Sequence, residues 1–226
     1  MKEKISFTSS DGVKIVGNYY NSEKQDAPAV ILLHMMPATK ESWKEFALKL
    51  QSEGFRVLAI DLRGHGESLD KEEQKLNFRE FSDEEHRDSY KDIEAATNFL
   101  KEQGSNNISL AGASIGANLA IWYQADHSEI KAGIPLSAGY NYKGIKTKPL
   151  VQKLKDNQHI YFIGATLDLR ADQNNCGQVA KDLYEISGGQ KKIKVYENSE
   201  AHGTDLFIED PSLMDTLAEW LKNIYK

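Results

Sequence analysis

Short, nearly unbroken apolar runs recur along the chain: Ala29 to His34 (AVILLH), Arg56 to Ile60 (RVLAI), Asn107 to Ala111 (NISLA), Ala132 to Ser137 (AGIPLS), Ile160 to Gly164 (IYFIG) and Lys192 to Tyr196 (KIKVY). Runs of this length without polar alternation suit strands buried on both faces, as in a parallel sheet. Residues 4 to 20 read differently. Val13, Ile15 and Gly17 alternate with polar neighbours after the turn Ser9-Ser10-Asp11-Gly12, which predicts an antiparallel hairpin.

Helical patterns fall between the runs. Ser42 to Glu45 has the form of a capping box ahead of Phe46, Leu48 and Leu50, with Gly54 placed to end the helix. Ser82 to Glu85 offers a second box before Ile93, Ala96, Phe99 and Leu100. Gln173 to Ser187 carries Val179, Leu183 and Ile186 and stops at Gly188-Gly189. Asp210 is a good N-cap with Pro211 at the first helical position, followed by an apolar face of Leu213, Leu217, Trp220, Leu221 and Ile224. Strands alternating with helices in this rhythm predict right-handed crossovers, and hence an α/β fold with a mostly parallel sheet and helices on both faces. The charged stretch Leu69 to Phe81 is expected to be a solvated loop.

Length and composition narrow the reading. At 226 residues and 40% hydrophobic, the chain fits one α/β domain over residues 1–226. A formal net charge of −6, with both signs interspersed, gives no basic stripe to follow a phosphate backbone, so nucleic acid is not an expected partner. Cys176 is the only cysteine, which excludes an intrachain disulfide and a multi-cysteine metal site and favours a reducing, cytoplasmic setting. The N-terminal segment lacks the apolar core of a signal peptide, and the longest apolar run, Ala29 to Met36, is interrupted by His34, so membrane insertion is not expected.

Gly112-Ala113-Ser114-Ile115-Gly116 follows the run ISLA and precedes ANLAIWYQ, which suits a helix. A serine there sits on a tight strand-to-helix turn with its hydroxyl raised above the sheet, and the helix N-terminus turns amides, including that of Ile115, toward a developing oxyanion. Serine needs a base. Among six histidines, His202 lies in a polar, glycine-containing loop after the last expected strand, whereas His159 begins a strand and His86 and His127 fall in helical or connecting segments. The imidazole in turn needs a carboxylate. Asp168 follows IYFIGA after a short turn; Asp172, four residues on, is the alternative, and no carboxylate stands in Ala138-Gly139-Tyr140-Asn141.

On these residues the chain resembles the α/β-hydrolase superfamily over nearly its whole length, in particular small esterases and dienelactone-hydrolase-like members without a large cap. Asp61-Leu62-Arg63-Gly64-His65-Gly66-Glu67-Ser68 is similar to the superfamily's D-x-R-G-x-G-x-S signature, a structural segment in relatives, so Asp61 and His65 stay outside the catalytic set. The resemblance implies an eight-stranded sheet and places His34-Met35-Met36-Pro37 on the family's His-Gly-X-Gly loop, with the Met36 amide as the second oxyanion donor. Met35 and Pro37 depart from that pattern. Serine at the elbow, where true dienelactone hydrolases carry cysteine, argues against borrowing their substrate, and Cys176 outside any elbow reads as a bystander.

The expectation is therefore a serine hydrolase cleaving a carboxylic ester, or a related acyl bond, of a small molecule, with no cofactor or metal required. Thioester, amide or peptide cleavage on the same triad, or a hydrolase-fold binding protein with an idle triad, are the competing readings. Only residues 138 to 159 separate two expected strands where large caps enter this fold, so a minimal cap, between about 138 and 158, with a helix such as Thr147 to Asp156 and an open pocket rimmed by Met35, Met36, Tyr140 and Tyr142, is expected. These four side chains would equally serve as packing between loops.

Overall fold

A computed structural model describes residues 2–171 and 173–226. Eight main strands form one sheet: β1 (Lys2–Thr8), β2 (Val13–Tyr20), β3 (Ala29–Leu33), β4 (Arg56–Ile60), β5 (Ile108–Ala113), β6 (Ile130–Leu136), β7 (His159–Ala165) and β8 (Gln190–Tyr196). Their order is β8-β7-β6-β5-β3-β4-β2-β1, parallel from β8 to β4 and antiparallel at the β4-β2-β1 end. Five of the apolar runs form buried parallel strands, with every residue of β3, β4 and β5 buried; the sixth, Lys192 to Tyr196, lies in the edge strand β8, which has one neighbouring strand and no fully buried residue. The alternating segment became the hairpin β1-β2.

The helices are α1 (Lys44–Ser52), α2 (Asp83–Arg87), α3 (Ser89–Glu102), α4 (Ile115–Asp126), α5 (Thr147–Val151), α6 (Cys176–Ile186), α7 (Leu206–Glu209) and α8 (Ser212–Ile224). Because side chains alternate along a strand, β3 divides its residues between two layers. Val30 and Leu32 join Phe46 and Leu50 of α1 and Leu217 and Leu221 of α8; Ile31 and Leu33 join Ile93 of α3 and Leu119 of α4. Truncating one of these leucines to alanine costs about 2–5 kcal/mol, which is how the sheet is held rigid beneath the loops. Among the described residues no helix is long and apolar enough to cross a membrane.

The chain leaves β3 toward one edge and β5 toward the other, so the strand order reverses between them. Carboxyl-terminal loops diverge at such a point and leave a crevice. Here Leu33 pairs with Gly112, which sets the segment after β3 beside the segment after β5.

Local expectations were met unevenly. The Ser82 box forms, with Glu85 N–H donating to Ser82 Oγ at 3.3 Å and Ser82 N–H to Glu85 Oε2 at 2.7 Å, and Asp210 accepts the Ser212 amide at 3.1 Å as a cap should. The Ser42 box does not form. A short 3-10 turn, Lys40–Trp43, capped by Thr39, precedes α1 and leaves Ser42 Oγ buried without a hydrogen-bond partner. The stretch 69–81 is tethered: Asp70–Lys71 pairs with Gln74–Lys75, and Phe78 stacks on His65 with ring centroids 3.9 Å apart. The helix expected over 147–156 ends at Val151, whose carbonyl accepts the Gly188 amide at 3.0 Å.

Candidate active site

β5 ends in a forced turn. Ser114 has φ 54° and ψ −115°, a conformation that non-glycine residues rarely adopt, held by its amide donating to Leu136 O at 2.9 Å and its carbonyl accepting the Ala117 and Asn118 amides. The flanking glycines are dictated by contact. A Cβ on Gly112 would lie 2.0 Å from Gly116 O, and one on Gly116 would lie 2.3 Å from Leu33 O. Helix α4 can cross this close to β3 and β5 only without those side chains. Its second residue, Gly116, therefore lies against Leu33 and His34 at the end of β3.

Asp168 follows β7 and is fully buried at its side chain, with Oδ2 2.7 Å from Nδ1 of buried His202. Burial pushes the Asp168 carboxyl up; bonding and charge from His202, the Arg170 amide and the Ser137 hydroxyl outweigh it and hold the group below its ordinary value. An ionised carboxylate accepts, so Nδ1 carries the ring proton and Nε2 is left as the acceptor. Asp172, the alternative acid, lies outside the described residues.

The loop bearing His202 is seated against the elbow. Gly203 has φ 56°, and a Cβ there would come 2.9 Å from Ala113 Cβ and 2.8 Å from Met35 Sδ. The residue after the histidine thus touches the residue before Ser114. Ser137, not singled out from the sequence, fastens this arrangement. It is fully buried at the end of β6, has φ 55° and accepts the Gly203 amide at 3.0 Å on its hydroxyl. Its only signal in the sequence is a serine closing an otherwise apolar strand at the sheet's carboxyl edge.

The segment after β3 has its own clamp. Buried His34 accepts the Leu62 amide on Nε2 at 3.0 Å, so its Nδ1 carries hydrogen and donates to Met35 O at 2.9 Å. Burial lowers the His34 pKa, which keeps the ring neutral and this tautomer in place. In a trans peptide the N–H points opposite the carbonyl, so anchoring Met35 O orients the Met36 amide away from the imidazole. Sequence reading treated His34 only as part of a motif and missed this role.

The D-x-R-G segment is structural. Asp61 accepts the Lys40 amide at 2.8 Å, Lys40 Nζ at 2.6 Å and the Glu67 amide at 2.9 Å; Arg63 forks to Asp92 and Asp11. His65 packs between His34 and Phe78. Beside the clamp and the His202 loop lies a groove of about 260 Å³ lined by Met35, Phe46, Phe207, Ile208 and Met214, with the polar Ser42, Glu45, Thr204 and Asp205 among them. Tyr140 is not in that lining. Its hydroxyl donates to Asp182 at 2.5 Å and its side chain packs against the apolar cluster that contains Val151 and Val179, the packing alternative left open by the sequence.

Residues 28–167 match the family described as alpha/beta hydrolase fold. A bifunctional esterase/perhydrolase of Acinetobacter calcoaceticus is 32% identical over 119 residues, covering 52% of this chain and 38% of that protein. Epoxide hydrolase B of Mycobacterium tuberculosis is 27% identical over 145 residues, 62% of this chain and 38% of that one. The matches thus span well under half the length of these relatives. Among solved structures, an esterase of Pyrococcus furiosus superposes with TM-score 0.77 at 19% identity, over 99% of this chain and 92% of that chain. A dienelactone hydrolase of Anabaena variabilis gives 0.73 at 19% identity, over 99% and 97%. At such identities the likeness is one of fold.

Proposed function

Because the chain belongs to the α/β-hydrolase fold family, we propose that it is a serine hydrolase that cleaves a carboxylic ester of a small molecule through an acyl-enzyme. The observation that carries this reading is the buried 2.7 Å contact between Asp168 and His202, on a loop packed against the strained turn at Ser114. His202 Nε2 takes the Ser114 proton as Oγ bonds to the ester carbonyl carbon, and Asp168 stabilises the imidazolium that forms. The oxyanion is held by the amides of Ile115 and Met36, the second aimed by the His34 clamp. His202 then returns its proton to the departing alcohol oxygen. In the second half it deprotonates water, which attacks the acyl carbon, and Ser114 recovers its hydrogen as the acid leaves. Every charge is met by fixed dipoles or a shuttled proton, so this cycle requires no cofactor.

The groove beside Met35 and Thr204 fits one unbranched apolar acyl or alkyl group; Tyr140 takes no part in our reading of substrate contact. Residues 138–158 form the minimal cap of this proposal, with α5 as its helix. The relatives' names span an esterase/perhydrolase and an epoxide hydrolase, so bond type has to be measured. A panel of p-nitrophenyl esters of graded chain length beside thioesters and aminoacyl amides does so. Ester turnover abolished by Ser114→Ala is the expected result; amide turnover without ester turnover would move the assignment to a peptidase or amidase. A folded protein inert toward all three classes would favour a binding protein.

A further inference from the structure

Cys176 opens α6 directly behind the acid. Its amide donates to the Asp168 carbonyl at 2.9 Å. One ligand atom each from Asp168, Cys176 and His202 lies within 4.8 Å of the other two, and all three residues are buried. Carboxylate oxygen, thiolate sulfur and imidazole nitrogen are the donor types that zinc-like d¹⁰ cations select. With metal–sulfur bonds of about 2.3 Å and metal–nitrogen bonds of about 2.0 Å, ligands round one tetrahedral ion stand roughly 3.3–3.8 Å apart. The upper bound of 4.8 Å on their separations exceeds that spacing by about 1–1.5 Å.

We propose that Asp168, Cys176 and His202 form an inhibitory site for a thiophilic divalent cation, Zn²⁺ or Cd²⁺. The binding rests on this cluster alone; the inhibition rests on the hydrolase reading of the same pair. Coordination forms a metal–sulfur bond and releases the thiol proton to solvent. If Nδ1 is the ligand, the ring proton moves to Nε2, which can no longer accept from Ser114. If Nε2 is the ligand, the lone pair that would take the serine proton is occupied. Either way the base is withdrawn and the acid's hydrogen bond to it is replaced.

The test is a Cd²⁺ titration of the intact protein, read by the ultraviolet charge-transfer band of the cadmium–thiolate bond and, in parallel, by ester turnover. One equivalent should raise the band and lower turnover at least tenfold, with EDTA reversing both. In Cys176→Ala, and in Cys176→Ser as a second folded variant, the band should vanish and turnover should stay within twofold of each variant's own metal-free rate. His202→Ala should weaken cadmium binding at least tenfold by the same band, since a thiol alone does not make the site. No band in folded wild type, or inhibition that survives in both Cys176 variants, overturns the proposal. Should the protein turn over no ester, the band still decides the cation site, and the silence counts against the hydrolase reading only.

Discussion

Replacing Ser137 separates two contributions that one residue combines. In Ser137→Ala the Gly203 amide, bonded at 3.0 Å to the serine hydroxyl in a fully buried setting, loses its acceptor. An unsatisfied buried donor costs about 1–3 kcal/mol. Alanine keeps the φ of 55°, so the backbone strain remains. In Ser137→Gly the same bond is lost, but that strain, of order 1 kcal/mol, is relieved. Urea unfolding at pH 7 should therefore show alanine destabilised by about 1–3 kcal/mol, with glycine the less affected by roughly 1 kcal/mol. Both should lose on the order of 10- to 100-fold in kcat, because the histidine loop is no longer fastened to the end of β6. An alanine variant as stable and as active as wild type, or a glycine variant less stable than the alanine one, would refute the reasoning.

Further outcomes follow from the same geometry. Asp168→Asn should lower kcat by on the order of 10⁴-fold, through the wrong ring tautomer, while Asp172→Asn stays near wild type; steady-state kinetics on a p-nitrophenyl ester separates them. Burial holds the His65 pKa at about 3, against 6.5 for the ordinary imidazole. Below pH 6.5 the unfolded chain thus binds a proton that the folded one refuses, and stability falls with acidification toward pH 3. Between pH 7 and 5 this one residue should remove roughly 2 kcal/mol, a decline that urea titrations should find smaller by that amount in His65→Gln. Arg63→Ala strands fully buried Asp92, so its urea midpoint should report a loss of about 3–5 kcal/mol, and an unchanged midpoint would show that the network contributes nothing.

The parallel sheet was legible because strands covered on both faces must be continuously apolar, and RVLAI became β4 residue for residue. The elbow was legible for a related reason: backbone atoms 2.0–2.3 Å from the would-be Cβ positions of Gly112 and Gly116 exclude a side chain at both. What stayed hidden depends on contacts remote in the chain. Ser137 meets Gly203 across 66 positions and His34 meets Leu62 across 28, and no local pattern announces either. The charged stretch 69–81 is solvated, with none of its residues fully buried, but its composition did not announce that Phe78 would tether it by stacking on His65. Ser42 was a capping box in composition only, since the preceding Thr39 starts a tighter turn.

The central claim, that Ser114 is a nucleophile activated through His202, meets its most direct test in labelling with a fluorophosphonate probe followed by peptide mapping. The account predicts a single adduct on Ser114, lost in Ser114→Ala and strongly slowed in His202→Ala. A folded protein that takes no label, or that carries it on another residue, would contradict it.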